Sequence, residues 1–247
     1  WEFFPAGEPG MGIIPVWGFA DVEASRCDGI GVGERSYGFF GMTSHLVVSP
    51  AEVSAGSFVD ATAHRNGLPL IYNQYLRCHH DSLYTADTED LQMLLRPLFT
   101  TSFLLDDFFA DKDFFAATTL VLTSASSKTA LGMAYLLHRN RRSRNQDYRI
   151  VGLTSAGNVD FVRGLGCYDE VKSYQQLQGL DGGPAAIVDF AGNGDAEIMR
   201  HSKLSFAVCK TGAVHGFPGS GETGRGVRPA ACSTRPLDTL DRFGHAR

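Results

Sequence analysis

A parallel α/β domain behind a β-rich amino-terminal lobe is the fold class this sequence predicts, on three observations. Apolar runs of strand length at 119–122, 149–153, 185–191 and 206–210 alternate with helical segments, as in a parallel sheet with crossover helices. The first run breaks into a small-polar loop, Thr123-Ser124-Ala125-Ser126-Ser127-Lys128-Thr129, and a helical segment follows at once. Before residue 98 the chain reads instead as short β segments, turns and aromatic residues.

Taken in order, 1–12 is rich in Gly, Pro and aromatics without a period and reads as loop. Residues 13–22 (IIPVWGFADV) suit a β segment with Pro15 near its start. Residues 43–48 (TSHLVV) read as a further strand. Glu34 and Arg35 read either as a substrate-facing pair or, more simply, as a structural salt bridge. Residues 70–77 pack Tyr72, Asn73, Gln74, Tyr75 and Arg77 together. This cluster reads either as an amphipathic connector with half-buried tyrosines or as a source of a proton, with Tyr72 and Tyr75 as donors. Residues 78–90 form a polar inserted loop, with a helix start at 87–90 marked by its acidic residues. Pro97 is expected to end or kink that helix, and 100–109 reads as another. Asp106 and Asp107 are neighbours about 100° apart on a helix, so they are read as solvated surface.

From 118 to 172 the order is strand, loop, helix, strand, the size a parallel crossover needs. The amino end of the helix after the loop offers free N–H groups and a positive dipole end to an anion such as a pyrophosphate. Ser124, Ala125, Ser126, Ser127, Lys128 and Thr129 would line it. The usual dinucleotide loop places glycines here; this one has none before Gly132. The other reading is an ordinary helix capped by Ser or Thr. The second strand ends on Thr154-Ser155, with Asn158 next and no carboxylate before Asp160. An acidic residue at that place holds the ribose of NAD; hydroxyl and amide donors at Ser155 and Asn158 suit the extra phosphate of NADP. Residues 195–204 read as a helix. The loops at Thr123, Thr154, Ala191, Gly192 and Thr211 would share the carboxyl edge of the sheet, where such sheets bind ligands.

Composition narrows the function. The 247 residues are 43% hydrophobic and 20% charged with net charge −5, which argues against a dedicated nucleic-acid binder with its basic face. The run Arg139 to Arg144 reads as a solvated helix end. No apolar stretch approaches the roughly 20 residues of a membrane span. Cys27, Cys78, Cys167, Cys209 and Cys232 include no C-x-x-C pair, which favours free thiols and a cytoplasmic location. His45, His64, His79 and His80 lack the company a zinc site requires, so no metal is expected. The spacings of a P-loop, a Ser-x-x-Lys site and a G-x-S-x-G elbow are all missing from the relevant stretches.

The stretches TLVLTSASSKTALGMAYLL, IVGLTSAGNVDFVRGLGCYDEVKSY and AIVDFAGN resemble the nucleotide domain of zinc-independent medium-chain dehydrogenase/reductases of the quinone and enoyl reductase type. IPVWGFADVEAS, GERSYGFFGMTSHLVV, HRNGLPLIYNQYLR, LLRPLFTTSFLLDDFF and SASSKTA resemble, more closely, the domain of unknown function 2855 family, regarded as divergent relatives of those reductases. The likeness covers about residues 14 to 215. It implies a partial GroES-like, β-barrel-like lobe with an inserted loop at 1–98, in which 30–40 matches the V-G-D-R-V turn and 43–48 closes the lobe. It also implies a Rossmann-like nucleotide domain at 99–215. Thr101 then lies near the nicotinamide, with Thr100 and Ser102 as alternative registers. Reductases of this type are often homodimers.

Residues 216–247, rich in Gly, Arg and Pro, depart from the family and read as a disordered tail. The start at Trp1 reads as a cut from a longer protein. The function expected is NADP-dependent, zinc-independent transfer of hydride to a carbonyl or activated alkene of a small-molecule substrate. The alternatives are a catalytically inactive nucleotide-binding or scaffold protein, and a fragment without independent function.

Overall fold

The computed structural model describes residues 3–176, 183–190 and the backbone of 208–210. The chain divides into two units, Trp1–Pro97 and Leu98–Arg247. The first is built on five antiparallel strands: β1 (Pro15–Asp21), β2 (Arg35–Gly41), β3 (Pro50–Ala51), β4 (Ser57–Asp60) and β5 (Gln74–Arg77). Their order in the sheet is β1-β2-β5-β4-β3.

Alternation along these strands sorts the side chains onto two faces. Trp17 and Phe19 on β1 sit opposite Phe39 and Tyr37 on β2; Trp17 stacks on Tyr37 at 5.7 Å and Phe39 meets Tyr72 at 4.9 Å. A separate cluster joins Ile30, Phe58 and Tyr75. The Tyr75 ring lies across β2 so closely that a Cβ at Gly38 would stand 2.3 Å from it. Only glycine leaves that space.

Several expectations for this unit are corrected. Residues 70–77 are not one connector: a 3-10 turn, Leu70–Tyr72, leads into β5, which pairs with β2 and β4. The expected strand at 43–48 does not pair. Thr43 Oγ1 donates instead to the carbonyls of Gly41 and His45, a local satisfaction that competes with a ladder. Glu34 and Arg35 are each tied elsewhere, Glu34 to Arg77 and Arg35 to both Asp21 and Glu89.

Pro97 does not end its helix. One helix, α1 (Glu89–Asp111), runs through it for 23 residues, so the expected break at 97 and second helix at 100 are a single element. Packing beyond the proline holds it: Ser102 is fully buried and its hydroxyl donates to Leu98 O and Thr129 O. Asp106, expected on the surface, is 1% exposed and holds Arg144 and Asn140.

The second unit carries the parallel sheet, a Rossmann-like arrangement. Its elements are β6 (Thr119–Leu122), α2 (Lys128–Asn140), β7 (Arg149–Thr154), α3 (Val159–Gly164), β8 (Glu170–Ser173), β9 (Ala185–Asp189) and β10 (Val208–Lys210). All pairings are parallel, in the order β10-β9-β6-β7-β8. Every residue of β6 and β9 is buried, as expected for strands covered on both faces. On α2, Met133, Ala134 and Leu137 recur at helical spacing and pack with Leu120, Leu122, Ile150 and Val188. Val121, Val151, Leu153 and Ile187 form a second cluster, on the opposite sheet face by alternation. β8 extends the sheet beside β7. The expected helix at 195–204, the segment 206–207 and the tail at 216–247 lie outside the described residues.

Candidate functional site

Numbered by their rank in this sheet, the strands run 3-2-1-4-5, and the order reverses between β6 and β9. The hydroxyl loop bridges that reversal. Thr123 N–H donates to Val188 O of β9 at 3.1 Å, and two residues later Ala125 N–H donates to Leu153 O of β7 at 2.9 Å. Between them Ser124 takes φ +47°, in the left-handed region that non-glycine residues avoid. Ser127 N–H then closes the turn on Ser124 O at 2.7 Å.

Ser127 is the N-cap of α2, its Oγ accepting from Ala130 N–H at 3.3 Å. Capping by Ser127 still leaves other donors of the loop open. Among the described residues the N–H groups of Ser126, Lys128 and Thr129 have no acceptor. The Lys128 side chain is exposed. Three amides without acceptors and the positive end of a 13-residue helix lie together here, with Lys128 in its first turn, a donor set of the kind an anion needs.

The Ser126 hydroxyl accepts from Asn158 Nδ2 at 3.2 Å and from Thr154 Oγ1 at 3.4 Å. With both acceptor directions used, its own proton is left to donate. Ser155 and Asn158 are exposed at the carboxyl end of β7, whereas Thr154 is buried. The nearest following carboxylate, Asp160, is paired with Arg163 at 2.7 Å. On the β9 side, Asp189 is 7% exposed and accepts from Thr123 Oγ1 at 2.8 Å, while that oxygen accepts from Phe190 N–H at 2.9 Å.

The sequence did not single out Tyr168 and Tyr174 for the site. Tyr168 Oη donates to Ala125 O at 3.0 Å, and Ser124 N–H donates to Tyr174 Oη at 2.8 Å. Burial pushes the Tyr168 phenol far up, so it stays a donor. Their signal was the aromatic spacing in GCYDEVKSY, which no local rule connects to a loop 43 and 50 residues upstream.

Ser124, Ala125, Ser126, Ser127, Lys128, Thr129, Ser155 and Asn158 thus stand along one edge of the second unit. Ala191, Gly192 and Thr211 lie outside the described residues. Thr101 is exposed on α1 in the second unit. Tyr72 and Tyr75 belong to the first. Tyr75 is 1% exposed, donates to Phe39 O at 2.9 Å and accepts from Arg65 at 2.8 Å. Burial outweighs the nearby guanidinium and pushes its phenol up. Tyr72 is half-buried against Phe3, Phe39 and Trp17. Among the described residues no three His, Cys, Asp or Glu side chains converge on a point that would hold a metal ion. No helix among them is long and apolar enough to cross a membrane.

The family described as "Protein of unknown function (DUF2855)" matches residues 1–223. No curated protein matches the sequence. Among solved structures the chain is similar to the yhdH oxidoreductase from Salmonella enterica in complex with NADP. That match has TM-score 0.44 and 11% identity over 85% of this chain and 58% of the other. It is also similar to the quinone oxidoreductase from Coxiella burnetii, with TM-score 0.42 and 12% identity over 82% of this chain and 56% of the other. A quinone oxidoreductase from Pseudomonas syringae pv. Tomato DC3000 matches with TM-score 0.38 and 14% identity over 85% and 66%. The chain spans a little over half the length of the first two.

Proposed function

The chain belongs to the DUF2855 family, and from that premise we propose that it is an NADP-dependent, zinc-independent oxidoreductase acting on a carbonyl or activated alkene of a small molecule. The reversal of strand order between β6 and β9 carries the reading. Open parallel sheets take ligands in the crevice at such a point, and the hydroxyl loop bridges it. The free amides of Ser126, Lys128 and Thr129, the Ser126 hydroxyl and the Lys128 ammonium are the donors for a pyrophosphate. Ser155 and Asn158 take the 2′-phosphate, and the pairing of Asp160 with Arg163 keeps a bare carboxylate from opposing it.

The bound nicotinamide supplies hydride. Thr101 borders it in this reading, and the proton comes from a tyrosine hydroxyl or from water; of the candidates Tyr72 and Tyr75, the Tyr75 hydroxyl is already engaged with Phe39 and Arg65. Among the described residues His45, His64 and the neighbouring His79 and His80 join no group of three metal-ligating side chains, which supports the reading without zinc.

The deciding experiment is titration with NADPH and NADH, read by fluorescence and thermal shift, on wild type and on Ser155→Ala/Asn158→Ala. The expected result is at least tenfold preference for NADPH in wild type and its loss in the double variant. A folded chain that binds neither nucleotide overturns the reading. The occupied Tyr75 hydroxyl favours a second reading, a nucleotide-binding protein without turnover. NADPH binding with no oxidation by any of a panel of quinones, aldehydes and enones would establish it.

A further inference from the structure

We propose that Tyr168 and Tyr174 are positioning residues that replace glycine in the anion-binding loop, clamping its backbone from opposite faces of the parallel sheet. The inference rests on the nucleotide reading above and explains how a loop without glycine adopts a shape that favours one.

A non-glycine residue in the left-handed region costs on the order of 1 kcal/mol or more, and it persists only where its surroundings over-determine it. Ser124, at φ +47°, is such a residue. Its carbonyl is held by Ser127 N–H within the loop. Its own N–H is held from outside, by Tyr174 Oη at 2.8 Å. Tyr174 follows β8, where its N–H donates to Thr154 O at 3.1 Å, and its ring packs on Val121, Val151, Leu153 and Ile187.

The next residue is held from the other face. Tyr168 Oη donates to Ala125 O at 3.0 Å, and its ring belongs to the cluster that α2 covers. That ring reaches the loop only because Gly152 in β7 has no side chain. A Cβ there would stand 2.9 Å from the Tyr168 ring and 2.9 Å from Ala125 Cβ. The glycine that serves the loop thus sits in the neighbouring strand.

With Ser124 N–H and Ala125 C=O both engaged, the amides of Ser126, Lys128 and Thr129 stay turned toward the open edge. Each phenol acts through the backbone and needs no contact with ligand.

The test is affinity for NADPH, NADH and inorganic pyrophosphate in wild type, Tyr174→Phe, Tyr168→Phe and Tyr174→Phe/Ser124→Gly. Each single variant removes one oxygen and keeps the ring. Both single variants are expected to weaken all three ligands about tenfold, the worth of one hydrogen bond. Ser124→Gly is expected to restore affinity in the Tyr174→Phe background, because glycine holds the left-handed conformation unaided. A role in folding alone would shift Tm without that rescue. Independently of ligand, Tyr174→Phe should speed hydrogen exchange at the Ser124 amide.

Wild-type binding with unchanged or tighter affinity in Tyr174→Phe overturns the clamp and leaves the nucleotide reading standing. A loss confined to NADPH makes Tyr174 a direct contact of the 2′-phosphate and also overturns it. A wild-type chain that binds none of the three overturns the nucleotide reading and the clamp's purpose together.

Discussion

Asp60 and Arg65 form a 2.9 Å ion pair in which both side chains are 1% exposed. The guanidinium also donates to Tyr75 Oη and to Tyr72 O, and it lies 5.0 Å from the Phe4 ring centre and 5.8 Å from that of Tyr75. Removing one partner of such a pair strands the other charge, at about 3–5 kcal/mol. Arg65→Met should therefore lower the stability of the first unit by that much in urea unfolding followed by tryptophan emission. Trp1 and Trp17, the two tryptophans of the chain, both lie before residue 98. Burial pushes the Asp60 carboxyl up, but donors from Thr62, Ser49 and Arg65 outweigh it and hold the group below its ordinary 3.8. A carboxylate so depressed adds stability that is fully present above its unfolded value and is lost as pH falls through the folded one. An acid titration of stability should show this loss beginning near pH 4 in wild type and reduced in Asp60→Asn. At the loop, Gly152→Ala forces a methyl against Ala125 and Tyr168. The expected cost is about 1–3 kcal/mol, measured by thermal unfolding.

Two elements show where local rules and packing part company. Helix α1 keeps Pro97 in its interior against a penalty of about 3 kcal/mol. Buried Ser102, Leu105, Asp106 and Phe109 anchor the helix beyond that point. Between α1 and β6, Asp113, Phe114, Phe115 and Ala116 all have φ between +46° and +55°, a left-handed turn of L-residues that costs about 1–2 kcal/mol per residue. The buried Phe114 ring, 4.6 Å from Tyr148, holds it. Ala116 is exposed, so Ala116→Gly relieves strain without removing a contact. It should raise stability by about 1 kcal/mol, visible as a higher Tm. Neither feature was legible in sequence: proline signals a break and no residue here signals a left-handed turn. A Ser or Thr cap and the helix after the loop were legible, because both are written in a short window of sequence.

On the scale of the molecule, one unit is an antiparallel sheet with aromatic clusters and the other a parallel sheet with a donor-rich edge. In the proposed function the nucleotide binds the folded second unit. A ligand at a hundred times its Kd adds about 2.7 kcal/mol to the state it binds. Amides of β6, β7 and β9 that exchange only by unfolding of this unit should then slow about a hundredfold with NADPH. Hydrogen exchange followed by mass spectrometry measures this. Unchanged rates at that ligand level would separate the unit from the nucleotide.

The sequence by itself determined the class of each half of the chain. Runs such as 119–122 and 185–189 are apolar throughout because a parallel strand is buried on both faces, and the loop at 123–129 declares itself by composition. It also named the loop, 124–129, as a place where an anion could bind, since it follows a strand and opens a helix. Only the tertiary structure decided how that loop is held. Ser124 adopts a conformation its side chain disfavours; Tyr174 holds its N–H, Tyr168 holds the Ala125 carbonyl, and Gly152 leaves the space for the Tyr168 ring. Likewise Tyr75 looked as available as Tyr72 until Arg65 and Phe39 took up its hydroxyl. Contacts between residues tens of positions apart follow from strand order and packing, and neither is written in any local window.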